Sequence, residues 1–116
     1  MDEDRAVAAL AALAHADRLA AFRALVQAGP EGLPSGVIAE RLGAAPTRMS
    51  FHLAALERGG LIGSRRDGRR ILYSVRYDEM RGLLGFLTED CCGGRPELCG
   101  DLAALVPACG TEEACR

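Results

Sequence analysis

Residues 45–75, APTRMSFHLAALERGGLIGSRRDGRRILYSV, read as a short amphipathic helix, a Gly59-Gly60 stop and a two-stranded ribbon closed by Asp67-Gly68. In the helix, Met49, Leu53 and Leu56 recur at i, i+4 and i+7 and form one apolar face. Thr47, Arg48, Ser50 and Phe51 fall on the other, with Thr47 placed to cap the start. Asp-Gly between alternating residues is a strong hairpin signal. Arg65, Arg66, Arg69 and Arg70 bracket that turn, and so many guanidiniums at one hairpin tip repel one another unless an anion is near. A helix bearing hydroxyls, a guanidinium and an aromatic ring beside a basic ribbon suits duplex DNA, the helix in the major groove and the ribbon on phosphate.

Working outward, 116 residues allow one domain with one small core. The net charge of −2 would argue against nucleic acid if it were evenly spread. Between Arg41 and Arg76, however, eight arginines face only Glu57 and Asp67, a local balance of +6 that leaves −8 elsewhere. An acidic body with one basic face steers DNA to that face. No stretch is long and apolar enough to span a membrane, and the start MDEDRAV is acidic where a secretory signal is basic. A cytoplasmic chain is therefore expected, with its five cysteines reduced and available for metal or redox chemistry.

Toward the N-terminus, an alanine-rich helix from Arg5 to about Ala14 carries Val7 and Leu10 on a face suited to a partner. Asp17 is placed to cap a second helix whose Leu19, Phe22, Leu25 and Val26 point to the core, and Gly29-Pro30 ends it. A third helix begins at Pro34 or Ser35, buries Val37, Ile38 and Leu42 and stops at Gly43. The short gap from Gly43 to Pro46 is the turn of a helix-turn-helix. Beyond the ribbon, Asp78 opens a fifth helix with Met80, Leu83, Leu84 and Leu87 in an apolar stripe. The expected fold is mainly α with a β-hairpin: a winged helix-turn-helix of about five helices and a two-stranded wing. Its core closes without the fifth helix, so that stripe is expected to meet a second copy. A two-fold homodimer would present two recognition helices to a palindromic site.

Residues 1–90 thus form the DNA-binding and dimerisation domain, and residues 91–116 a cysteine-rich tail. There, TEDCCGGRPELCG places Cys91, Cys92 and Cys99 within nine residues. Neighbouring cysteines on a trans peptide do not easily bridge each other, but both can point at one soft ion. Structural zinc asks for four N or S ligands, and His15 and His52 are distant in sequence. Three thiols match trivalent arsenic or antimony: each sulfur replaces one hydroxide of the neutral acid and leaves a neutral product beside Glu89, Asp90 and Glu97. Cys109 as a fourth ligand would move the site toward zinc or cadmium, Cys109 and Cys115 otherwise being free thiols or auxiliary ligands, and a redox switch between Cys91 or Cys92 and Cys99 stays open. A thiol reductase is disfavoured. No anion-cradling loop precedes Cys91, and the nearby carboxylates raise rather than lower thiol pKa.

Asp17-Arg18-Leu19, Ile38-Ala39-Glu40-Arg41-Leu42, Ser50-Phe51-His52-Leu53, Leu61-Ile62 and Arg69-Arg70-Ile71-Leu72-Tyr73 together resemble the ArsR/SmtB family of metal-responsive winged-helix repressors over roughly residues 5–90. The cysteines after the last helix are similar to an arsenical subgroup whose As(III) site lies near the C-terminus. The resemblance implies a homodimer that holds operator DNA when metal-free and lets go when As(III) or Sb(III) binds, with no catalytic cofactor and no enzyme activity. It places Thr47, Arg48, Ser50, Phe51 and His52 at the groove, although the apolar neighbours of His52 equally suit a buried structural place. The chain departs from the family in three respects. The third helix, near Pro34 to Ile38, has no cysteine, the fifth lacks the Asp/His set of the zinc sensors, and Phe51 stands where many relatives have a polar or basic residue.

Overall fold

The computed structural model describes residues 1–88, so Cys91, Cys92, Cys99, Cys109, Cys115 and the proposed tail unit lie outside the described residues. Helix α1 (Glu3–Leu13) is opened by Asp2, whose carboxylate accepts the Arg5 N–H at 2.8 Å. Glu3 and Asp4 add negative charge at the positive end of the helix dipole. Ala6, Ala9 and Ala12 turn into the chain's own core, which leaves Val7 and Leu10 exposed. The alanines allow a close crossing: a Cβ on Gly59 would stand 2.7 Å from the Cβ of Ala12.

Helix α2 (Ala16–Ala28) starts differently from the expectation. His15 caps it, its Nδ1 accepting the Asp17 N–H at 3.1 Å, while Asp17 sits inside the first turn. Phe22 and Leu25 reach the core with Ala21, but Leu19 and Val26 remain 47% and 39% exposed. The buried arc centres on alanine, so the two larger residues at its edge are left outside.

Strand β1 (Leu33–Pro34) was not foreseen. Two residues carry no periodicity, and the strand exists because its backbone pairs antiparallel with the wing. Gly32, at φ +75°, brings the chain against it. Helix α3 (Ser35–Leu42) buries Ile38 and Ala39, with Val37 and Leu42 half-buried, and Gly43 ends it in the left-handed region at φ +66°.

Helix α4 (Pro46–Arg58) has proline in its first turn, where no N–H is missed. Thr47 does not cap it: Ala45 is the cap residue, with no side-chain hydrogen bond. Met49, Leu53 and Leu56 are fully buried, as their spacing implied. Gly60, at φ +85°, turns the chain out of the helix.

Strands β2 (Ile62–Asp67) and β3 (Arg70–Val75) pair from Ile62↔Val75 to Asp67↔Arg70, and β1 adds on the far side of β3, giving the order β1-β3-β2. The wing is therefore three-stranded. Its two-residue loop is Gly68-Arg69, one step beyond the expected Asp67-Gly68, because Asp67 still pairs with Arg70 and Gly68 takes φ +66° at the first loop position.

Helix α5 (Tyr77–Thr88) packs on α1, where Arg5 and Glu79 form an ion pair. Leu83 is buried in the common core, with Met80 and Phe86 half-buried against it. The core is thus not closed without α5, and the proposed dimer stripe splits: Leu83 and Met80 turn inward, Leu84 is half-buried and Leu87 is 51% exposed. Among the described residues, no helix is long and apolar enough to cross a membrane.

Candidate nucleic-acid interface

The α3-turn-α4 unit fixes α4 by its inner face and presents its outer one. Thr47, Arg48, Ser50 and Phe51 are all exposed there. Thr47, Ser50 and Phe51, with Ala54 and Arg58, line an open concavity of about 300 Å³. Residues 47, 51, 54 and 58 share one helix face, so Ala54 and Arg58 extend the expected DNA-facing surface by two turns. The same periodicity that identified the buried face could have found them.

The four arginines of the wing do not act alike. Alternation along a strand puts Arg65 and Asp67 on one face and Arg66 on the other. Arg65 reaches back and donates to the carbonyl oxygens of Glu31 at 2.9 Å and Pro30 at 3.4 Å. Arg70 lies 3.6 Å from the Asp67 carboxylate. Arg66 and Arg69 make no ion pair among the described residues and project into solvent at the tip. Ser64, whose hydroxyl donates to Glu57 at 2.9 Å, ties the root of the wing to α4, so helix and ribbon are held as one surface.

His52 departs from its expected place at the groove. It is 7% exposed and turned toward α2. Arg18 Nε donates to its Nδ1 at 3.3 Å, its Nε2 lies 3.6 Å from the Asp17 carboxylate, and its ring packs on that of His15 with centroids 4.6 Å apart. An Nδ1 that accepts from arginine leaves the proton on Nε2, which is buried and, at 3.6 Å from the Asp17 carboxylate, has no hydrogen-bond partner among the described residues. The ligand atoms of His15, Asp17 and His52 lie within 4.8 Å of one another, a spacing that invites a cation. The Arg18 guanidinium on the imidazole opposes one. This group instead locks the recognition helix to α2, and the cluster His15-Ala16-Asp17-Arg18 was its only trace in the sequence.

The lock is sensitive to pH. Burial pushes the His52 pKa below its ordinary value, and the nearby His15 pushes the same way, against the pull of Asp17. A histidine whose folded pKa is depressed favours the fold while neutral. Its contribution is therefore present above about pH 6.5 and is lost as pH falls through the folded pKa. Thermal melts between pH 7.5 and 5 are expected to drop more steeply for the natural protein than for His52→Gln. Parallel curves would show that the buried imidazole carries no such linkage.

The comparisons agree with this geometry. The sequence profile of a helix-turn-helix domain family matches residues 13–65. The chain is 33% identical over 89 residues to the HTH-type transcriptional regulator YgaV of Escherichia coli K12, covering 77% of this chain and 88% of that protein. Among solved structures it is similar to the homodimeric winged helix-turn-helix domain of Mb0332 from Mycobacterium bovis, described as a possible ArsR-family regulator. That likeness has 30% identity and a TM-score of 0.61, and covers 75% of this chain and 81% of the other. It also resembles an ArsR-like transcriptional regulator from Rhodococcus sp. RHA1, at 25% identity and a TM-score of 0.66 over 88% of this chain and 90% of the other. With a recognition helix, a basic wing and these relatives, the chain belongs to the ArsR-like winged helix-turn-helix transcriptional regulators, which bind DNA and are not enzymes.

Proposed function

We infer that the protein is a metalloid-responsive repressor, a homodimer that holds operator DNA until As(III) or Sb(III) binds Cys91, Cys92 and Cys99. The observation that carries this reading is the placement of three thiols within nine residues, beginning three positions after α5 ends at Thr88. As each S–As bond forms, one hydroxide leaves with the thiol proton as water, so three thiols yield an uncharged complex. Helix α5 is the route from that reaction to the DNA-binding body. Its Leu83 is buried in the common core, its Glu79 pairs with Arg5 of α1, and the exposed Val7, Leu10 and Leu87 of the two helices supply apolar surface for a second copy. A strain applied at the end of α5 is thereby delivered to the surface that spaces two recognition helices. Coupling of about 1–3 kcal/mol would weaken DNA binding roughly 5–150-fold.

The test is fluorescence anisotropy of the reduced protein on the DNA upstream of its own coding sequence, titrated with As(III), Sb(III), Zn(II) and Cd(II). Release by As(III) or Sb(III) alone, abolished in each of Cys91→Ser, Cys92→Ser and Cys99→Ser, is the expected result. Release by Zn(II) or Cd(II) that also requires Cys109 would replace the metalloid with a four-ligand divalent site. Release by peroxide without metalloid would make the thiols a redox switch. Sedimentation at the same concentrations tests the dimer, which Leu10→Glu and Leu87→Glu are expected to weaken.

A further inference from the structure

Phe51 is 72% exposed, more than any other large apolar side chain among the described residues. It stands in the middle of the outer face of α4, and water is a poor environment for an aromatic ring. Around it the surface forms a shallow, open depression. Ala54, one turn on, is too small to fill the space, and Thr47 and Ser50 on the N-terminal side and Arg58 on the C-terminal side complete an open concavity of about 300 Å³. Its lining is mostly apolar, and Thr47, Ser50 and Arg58 bring two hydroxyls and a guanidinium to it. Arg48 flanks it in the first turn, and the basic wing is joined to the same helix through Ser64 and Glu57.

We propose that this concavity is a subsite for the C5-methyl group of one thymine in each half of the operator, with Phe51 as the residue that reads it. The proposal rests on α4 being the groove-reading helix. In the major groove, thymine alone presents an apolar group, while every other base edge there offers donors or acceptors. A phenyl ring can bond none of these. A cytosine amino group or a guanine O6 and N7 set against Phe51 would lose hydration with nothing in return, so the ring selects against those bases as well as for thymine. The arginines around the hollow make a polyanion the matching occupant, whereas an apolar peptide would leave Arg48 and Arg58 to be desolvated.

The experiment needs no assumed operator. Binding sequences are selected from a random duplex pool with the full-length protein, and each thymine of the selected site is then replaced singly by deoxyuridine, which removes the methyl group and nothing else. One position in each half-site is expected to lose about fourfold in affinity, the equivalent of one buried methyl group. Phe51→Ala is expected to bind the thymine and uracil duplexes alike at that position and to melt like the natural protein, since the side chain is exposed. Placing 5-methylcytosine there should retain more affinity than cytosine. A selected site indifferent to every uracil substitution, or a uracil effect that persists in Phe51→Ala, overturns the methyl subsite while leaving α4 as the reading helix. A Phe51→Ala change that alters oligomeric state and not base preference assigns the hollow to a protein contact and overturns it too. If the pool yields no preferred sequence, groove reading by α4 fails, and the subsite with it.

Discussion

Gly32→Ala is expected to lower stability by about 2–5 kcal/mol, enough to shift the melting temperature by roughly 10–30 °C in a domain of this size. Two separate terms contribute. Gly32 has φ +75°, where a Cβ is strained whatever surrounds it, and a Cβ there would fall 2.2 Å from the carbonyl oxygen of Tyr73. That oxygen belongs to β3, held between β1 and β2, so it cannot step aside without disturbing both pairings. Since folded domains keep only about 5–15 kcal/mol in hand, the loss is a large share of the total. Gly36 provides the contrast. It lies within α3, has no positive φ and would meet nothing within 4 Å, so Gly36→Ala should leave stability unchanged or raise it by up to about 1 kcal/mol. Circular-dichroism melts of the two variants decide the matter, and a Gly32→Ala protein melting within a few degrees of the natural one would contradict the packing of β1 on the wing.

The second large effect is expected in DNA binding. Replacing Arg66 and Arg69 together by alanine should flatten the dependence of log K on log salt by about 1.8, at about 0.9 for each phosphate that is no longer neutralised. At 0.1 M salt a counterion-release term of that size corresponds to up to about 60-fold in affinity. Stability should change little, because both side chains lie in solvent at the tip of the wing. Arg65→Ala is expected to behave otherwise. Arg65 donates to Glu31 and Pro30 in the connection leading to β1, so its loss should appear in the melting curve as well as in the titration. An unchanged salt slope in the double variant would remove the wing tip from the DNA interface. A melt of Arg65→Ala identical to the natural protein would mean that its backbone hydrogen bonds are incidental.

The recognition helix and the ribbon were legible because local rules decide them. Met49, Leu53 and Leu56 recur at the helical period over a well-marked span, and an Asp-Gly pair between arginines announces a tight turn. Where single residues govern, small slips followed. His15 rather than Asp17 caps α2, Ala45 rather than Thr47 precedes α4, and the loop of the wing sits one residue later than expected. His15 and Asp17 offer the same capping chemistry, whereas Ala45 takes its place with no side-chain hydrogen bond at all, so local capping chemistry does not by itself decide where these helices begin. His52 shows the limit of local rules most clearly. Its sequence neighbours suit either the groove or the interior, and the residue that hydrogen-bonds it inside, Arg18, is more than thirty residues away.

By itself, then, the sequence determined the helix-turn-helix, the basic ribbon beside it and the segregation of charge, since each depends on spacing and composition within a few turns of chain. Tertiary structure alone decided which faces close the core. Helix α1 turns inward over Ala6, Ala9 and Ala12, because small side chains let helices approach closely, and α2 turns inward over Ala21, Phe22 and Leu25. Val7, Leu10, Leu19 and Val26, the residues an eye for hydrophobicity selects first, are consequently left at the surface. Strand β1 and the inward turn of Leu83 have the same origin: neither has a local signature, and both exist because a distant element offers a backbone edge or an apolar cleft to fill.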